Sequence, residues 1–148
     1  MSAFPGYLLS SNFPSRNTVV SFTEDLINCL FPMVGDAAAY IEQQCSANTL
    51  LRKQLIEILT PLSQRYALDV EYVTNAYLND LAAIKAALIQ DAELILEFDP
   101  AAYSVEEVIL SYPGFYAIMI YRLTHPLYKL AVPILPRMMS ELAHSKTG

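Results

Sequence analysis

The sequence predicts an all-α fold. No run alternates apolar and polar residues with the period of a half-buried strand, and only four glycines are available for tight turns among 148 residues. Against this, Leu51, Leu55, Ile58, Leu59 and Leu62 recur at the spacing of a buried helix face, while Arg52, Lys53 and Glu57 take other positions. The length suits one domain able to bury a core without disulfides or metals. Capping and proline signals divide the chain into about seven or eight helices. They group as a loosely held arm over 1–20, a helical bundle over 21–97 and linker helices over 98–148.

Residues 1–20 mix Pro5, Gly6, Pro14 and a Ser/Asn cluster without sustained periodicity. Ser21 with Glu24 offers a capping box for a first helix carrying Leu26, Ile27 and Leu30 up to Pro32. Asp36 caps a second short helix, AAAYIEQQC, by accepting from a free first-turn amide. A third starts near Asn48, and Pro61 should kink or end it, because a proline ring clashes with the carbonyl four residues back. Asp69 caps a short helix through Tyr77. Asp80 is a candidate cap for the longest one, LAAIKAALIQDAELILEF, whose stripe is Leu81, Ile84, Leu88, Ala92 and Ile95. An Asp99-Pro100 turn then leads to Ser104 with Glu107 three residues on, a second capping box, and a helix over 105–110. Pro113 suits the first position of the next helix, which should run to about Leu130 with a kink near Arg122 caused by Pro126. The last helix is expected from Pro133 to about His144, with Pro136 in its first turn and Gly148 free to redirect the chain.

Composition narrows the function. A chain with 54% hydrophobic and only 16% charged residues carries more apolar surface than an ordinary soluble domain, so a subunit interface is expected. The net charge of −6 argues against nucleic acid, which needs clustered cations to displace phosphate counterions. The longest nearly uncharged stretch, 108–121, is broken by Pro113 and Gly114, so no membrane span is expected. MSAFPGYLLSSNF lacks the basic flank and long apolar region of a secretory signal, which points to the cytoplasm. Cys29 and Cys45 fit no metal or redox spacing and should be small buried hydrophobes.

Candidate sites are few. Glu141 and His144 form an E-x-x-H pair of the kind that ligates iron in helical bundles, but a second pair is required and His125 is preceded by Arg122 at that offset. No metal site is therefore expected. His144 suits a helix C-terminus, where positive charge is favoured, and His125 should pack or bond locally. Tyr112, Phe115, Tyr116, Tyr121 and Tyr128 crowd one segment, as core or subunit contact. Arg122 and Arg137 either pair with carboxylates or face water. No glycine-rich phosphate loop and no nucleophile elbow occurs. On pattern alone Asp99 makes an Asx-turn ahead of Pro100.

The final stretch carries the words DPAA, YPGF, YRLTH, LYKL, VPILPR and SELAHSKTG in that order. In this it resembles the linker helices of bacterial serine O-acetyltransferases, which precede a left-handed β-helix of hexapeptide repeats. The likeness covers roughly the last third of the chain and fades to a general helical pattern upstream. One departure is Pro126 after His125, where a bulky residue is more common. The resemblance implies acetyl transfer from acetyl-CoA to the hydroxyl of L-serine, the first step of cysteine synthesis. It also implies that Asp99 helps to hold the serine, since a carboxylate suits an ammonium group. The family's catalytic histidines and coenzyme A groove lie in the β-helix, and no repeat of fixed period occurs here. The chain is thus expected to be cut short before that domain, with no catalytic residue and no bound cofactor of its own, acetyl-CoA being the co-substrate of the complete enzyme. Trimers or hexamers are implied. O-acetylserine sulfhydrylase, which docks on the family's C-terminal tail, is not an expected partner. The alternative is a helical scaffold or assembly protein without chemistry.

Overall fold

The computed structural model describes residues 13–33 and 35–147. Expectations for residues 1–12, including most of the N-terminal arm, and for Gly148 lie outside the described residues. Six helices follow one another, α1 (Arg16–Leu30), α2 (Ala37–Ser63), α3 (Val70–Phe98), α4 (Val105–Ser111), α5 (Pro113–Lys129) and α6 (Leu135–Thr147), and no strand occurs among the described residues. The all-α expectation holds, with six helices in place of seven or eight.

The lower number comes from two mergers, and one helix also starts early. Residues 37–63 form one helix because neither glycine nor proline interrupts them before Pro61. A new start is expected near Asn48, but the neighbouring Thr49 donates its hydroxyl to the carbonyl of Cys45 one turn back (3.2 Å), inside the continuous helix. Pro61 sits in the last turn, and the helix ends two residues later, as a missing N–H dictates. Asp69 caps α3 as expected, its Oδ1 accepting from the Tyr72 amide at 3.0 Å. That helix does not stop at Tyr77, and Asp80 is an exposed mid-helix residue, not a cap. α1 begins at Arg16, earlier than Ser21, because Ser15 Oγ accepts from the Thr18 amide (3.1 Å). Its buried stripe of Val19, Phe22, Thr23, Leu26 and Leu30 starts inside the expected arm.

The caps at Asp36 and Ser104 form as expected, with Asp36 Oδ1 accepting from Ala39 N at 2.8 Å and Ser104 Oγ from Glu107 N at 3.1 Å. Glu107 returns a bond to the amide of Tyr103, not to that of Ser104. Pro113 opens α5, and Tyr112 is at once the C-cap of α4 and the N-cap of α5.

Packing contacts close a ring from α1 to α2, α3, α5, α6 and back to α1, with the short α4 braced between α3 and α5. Phe22, Leu26, Leu55, Leu59, Leu88, Phe115, Leu123, Leu135 and Met139 fill its centre. Two polar links tie α3 to α5. The fully buried Tyr77 donates its hydroxyl to the Leu123 carbonyl at 2.9 Å. Arg122 grips both oxygens of Asp91, with Nη2 to Oδ1 at 2.9 Å and Nε to Oδ2 as the second arm. Of the two outcomes expected for this arginine, pairing is the one found. Cys29 is half-buried but Cys45 is exposed, which corrects the expectation of two buried thiols. Tyr121 and Tyr128 are exposed while Phe115 is in the core, so the aromatic segment faces both ways. No helix among the described residues is long and apolar enough to cross a membrane.

The turn from α5 to α6 is strained. Ala131 N donates to Tyr128 O (3.0 Å) and Val132 N to Leu127 O (3.0 Å), the double bond of a Schellman cap, with Ala131 at φ 57 where glycine is usual. Ile134 follows at φ 67, and Leu135 N reaches back to Pro133 O at 2.7 Å, a γ-turn with a β-branched centre. α6 therefore starts at Leu135 and not at Pro133.

Two predictions follow from this packing. Ala131→Gly removes a left-handed penalty and is expected to raise the unfolding free energy by about 1 kcal/mol, seen as a higher urea midpoint at unchanged m-value; A131V is expected to lower it. Tyr77→Phe is expected to cost about 1 kcal/mol at neutral pH. Burial first, and the charge of Asp80 second, hold the Tyr77 hydroxyl well above its ordinary pKa of 10.0. Below that value both folded and unfolded chains keep the proton. Above it the unfolded chain loses the proton first, so stability falls as pH rises. Urea melts between neutral pH and pH about 11 should show a steeper fall in the wild type than in Y77F.

Candidate functional site

Asp99 ends α3, its amide donating to Ile95 O at 2.9 Å, and the following Pro100 keeps it extended at φ −105 and ψ 107. Its Oδ1 accepts from the Ala101 amide at 2.9 Å, the Asx-turn expected from pattern. Its Oδ2 accepts from the hydroxyl of Tyr112 at 2.9 Å, a bond across the chain that local pattern did not foretell. The half-buried carboxylate is thus pinned from two sides. An ionised carboxylate accepts at about four lone-pair sites, so two stay open toward solvent or a ligand. The acid group of Tyr112 is raised above its ordinary value, first by the bond to Asp99, then by burial and by the charges of Asp99 and Glu107. It therefore stays a donor through neutral pH and keeps the carboxylate aimed.

Local rules place Asp99, whereas tertiary packing places Tyr112. The hydroxyl meets Asp99 because Tyr112 stands at the junction of α4 and α5, and α4 is short enough to bring that junction back beside the end of α3. No spacing in the sequence announces such a bond. Large apolar side chains near the turn face solvent, Phe98 at 77% exposure and Tyr103 at 90%. Leu94 and Leu110 are exposed as well.

The remaining nominated residues are not drawn to Asp99. Glu141 accepts from Arg137 Nε at 3.1 Å across one turn of α6, with both side chains exposed. His144 lies exposed near the end of the same helix, where its expected electrostatic role is geometrically met. His125 stacks on Tyr121, ring centroids 5.6 Å apart, and is exposed. Among the described residues no three His, Cys, Asp or Glu side chains come together as metal ligands would. The arrangement at Asp99 suits binding: a fixed anion can hold an ammonium or hydroxyl group.

No protein-family model matches the chain. Individual relatives do. A serine acetyltransferase of Synechococcus elongatus, described as plasmid-borne, is 34% identical over 166 aligned positions that cover 97% of this chain and 52% of that protein. The serine acetyltransferase of Synechocystis is 48% identical over 62 residues, 42% of this chain and 25% of that protein. That of Bacillus subtilis is 41% identical over 61 residues, 41% of this chain and 28% of the relative. The chain spans about half the length of the first of these and smaller shares of the others, and it matches their N-terminal part. Identity of 34% over nearly the whole of this helical chain decides the matter: the chain belongs to the serine acetyltransferase family, as a counterpart of the N-terminal part of those proteins.

Proposed function

We propose that the chain works as the helical part of a serine acetyltransferase, supplying one wall of the serine site and the surface on which copies assemble. In that role Asp99 takes the ammonium group of L-serine by a charge-assisted hydrogen bond. The transfer itself is the work of groups outside this stretch. A histidine takes the proton of the serine hydroxyl, the oxygen attacks the thioester carbonyl of acetyl-CoA, and the coenzyme leaves as its thiol. The products are O-acetyl-L-serine and coenzyme A, made in the cytoplasm for cysteine synthesis. The observation that carries the proposal is the pinned carboxylate. A side chain held by Tyr112 and the Ala101 amide loses little freedom when a ligand arrives, which suits a contact whose geometry matters.

Exposed Leu94, Phe98 and Tyr103 support the assembly role, because large apolar groups on and beside one turn are costly to leave in water. Trimers or hexamers with this end covered are the expected state. The absent partner in this scheme is O-acetylserine sulfhydrylase, which engages a different part of the family's proteins.

Three measurements test the proposal. The 148-residue chain, given acetyl-CoA and L-serine, is expected to release no coenzyme A thiol above background; turnover would overturn the assignment of chemistry to groups outside it. Joined to the remaining part of the Synechococcus elongatus relative, the chain is expected to be active. There Asp99→Asn should raise the KM for serine about 10- to 100-fold, the weight of one hydrogen bond to a charge, with a smaller change in kcat. An unchanged KM sinks the role of Asp99. In the isolated chain, ring ¹³C shifts should show Tyr112 keeping its proton above the ordinary tyrosine range, and D99N should bring it down toward the ordinary value by removing the charge beside it.

A further inference from the structure

Away from Asp99, two clefts meet at one ammonium group. The inner cleft, about 390 Å³, runs between the end of α1, the start of α2 and the middle of α3. The outer cleft, about 410 Å³, continues past Met33 toward Ile109 and Leu110 of α4. Leu30, Tyr40 and Lys85 line both, so the two are one groove with Lys85 at its junction. Each half falls within the range of about 300–1,000 Å³ usual for small-ligand sites, and most of the lining is apolar.

Lys85 is half-buried, and no carboxylate among the described residues lies within ion-pair distance of it. Its Nζ stands 5.3 Å from the centroid of the Tyr40 ring and 6.0 Å from that of Phe31, and donates to the Tyr40 hydroxyl at 3.3 Å. Phe31 is held in turn by an edge contact with the core ring of Phe115, centroids 6.4 Å apart. Two aromatic faces thus hold the cation in place without neutralising it. A long bond to a phenol is weak compensation for a partly desolvated ammonium, whose remaining donors point to water or to whatever enters the groove.

We propose that this groove binds a small monocarboxylate with an apolar body, its carboxylate on Lys85 and its body along Leu30, Ile109 and Leu110. Charge complementarity selects the headgroup, because Lys85 is a single point charge suited to one carboxylate. A dianion fits worse. Glu106 is the other charged residue lining the outer cleft; it is exposed at the rim, and it repels a second negative charge. The apolar walls select the body, since Met33 and Leu110 are 83% and 67% exposed and gain from being covered. The site is independent of Asp99 and of the serine chemistry.

The test uses the 148-residue chain and two probes of matched body, 3-phenylpropanoate and phenethylamine, with binding followed by ¹H–¹⁵N shift changes. The carboxylate is expected to move amides lining the groove and to bind at least about tenfold tighter than the amine, as one charge-assisted hydrogen bond implies. Lys85→Gln should weaken the carboxylate by about the same factor and K85R should retain most of it. Leu110→Ser should weaken both probes, E106Q should tighten the carboxylate severalfold, and R137Q, on a distant helix, should change neither. Equal binding of acid and amine, or indifference to K85Q, would overturn the proposal, leaving a bare apolar patch. Loss of probe binding on self-association, with K85Q still without effect, would overturn it in favour of a face between copies.

Discussion

The unbroken backbone ladder of α3, Val70–Phe98, is the constraint on which the other elements depend. Two bonds run from it to α5, from Tyr77 to the Leu123 carbonyl and from Asp91 to Arg122. On α3 these residues are separated by about 21 Å of helix rise, yet they meet consecutive residues of α5. α5 therefore crosses near the midpoint, where Ala83, Ile84 and Ala87 face Tyr121, Arg122 and His125. A crossing held from both sides can neither slide nor rotate without breaking a bond, one of them fully buried. Because Asp99 is the C-cap of α3 and Tyr112 the N-cap of α5, fixing the crossing also fixes the distance between them.

Closure of the ring carries a local cost that the rest of the fold offsets. Ala131 and Ile134 both take left-handed backbone, and a strained residue of that kind costs about 1–3 kcal/mol. The turn they make returns α6 to α5 and α1, and it buries Val132, Leu135 and Met139. Burial of side chains this size contributes about 1.5–3 kcal/mol each. The strain is thus of a size that the closure it permits can outweigh.

Much of this was legible in the residues, and the rest was not for a definite reason. The caps at Asp36, Asp69 and Ser104 and the start at Pro113 obey rules that act within four residues, so the sequence carries them openly. Asn48 and Asp80 show the limit of those rules, since a residue able to cap does so only where the ladder has a reason to stop. With neither proline nor glycine nearby, α2 and α3 run on. The start of α1 was hidden because Val19 is the first apolar member of its stripe, and one residue shows no period. The turn at Asp99 was legible in the Asp-Pro pair. Its partnership with Tyr112, like the pairing of Arg122 with Asp91, is a product of tertiary crossing and has no local signature.

A carboxylate with two fixed donors and two open lone-pair sites can orient a ligand, and the two groups bonded to it, the Tyr112 hydroxyl and the Ala101 amide, serve to hold it in place. A small polar ligand on such a surface competes with water on most of its own groups, and a single charge-assisted bond is worth about 1.5–3 kcal/mol. That leaves no net affinity once the freedom lost on binding is counted, about 4 kcal/mol or more. A second surface laid over the turn changes the balance in two ways at once. It removes water from the carboxylate, which strengthens the bond to an ammonium, and it covers Phe98 and Tyr103, whose exposure otherwise costs free energy. The apolar residues and the charged one near this end of the molecule would thus gain from the same covering surface, which is the physical basis of the role proposed for Asp99.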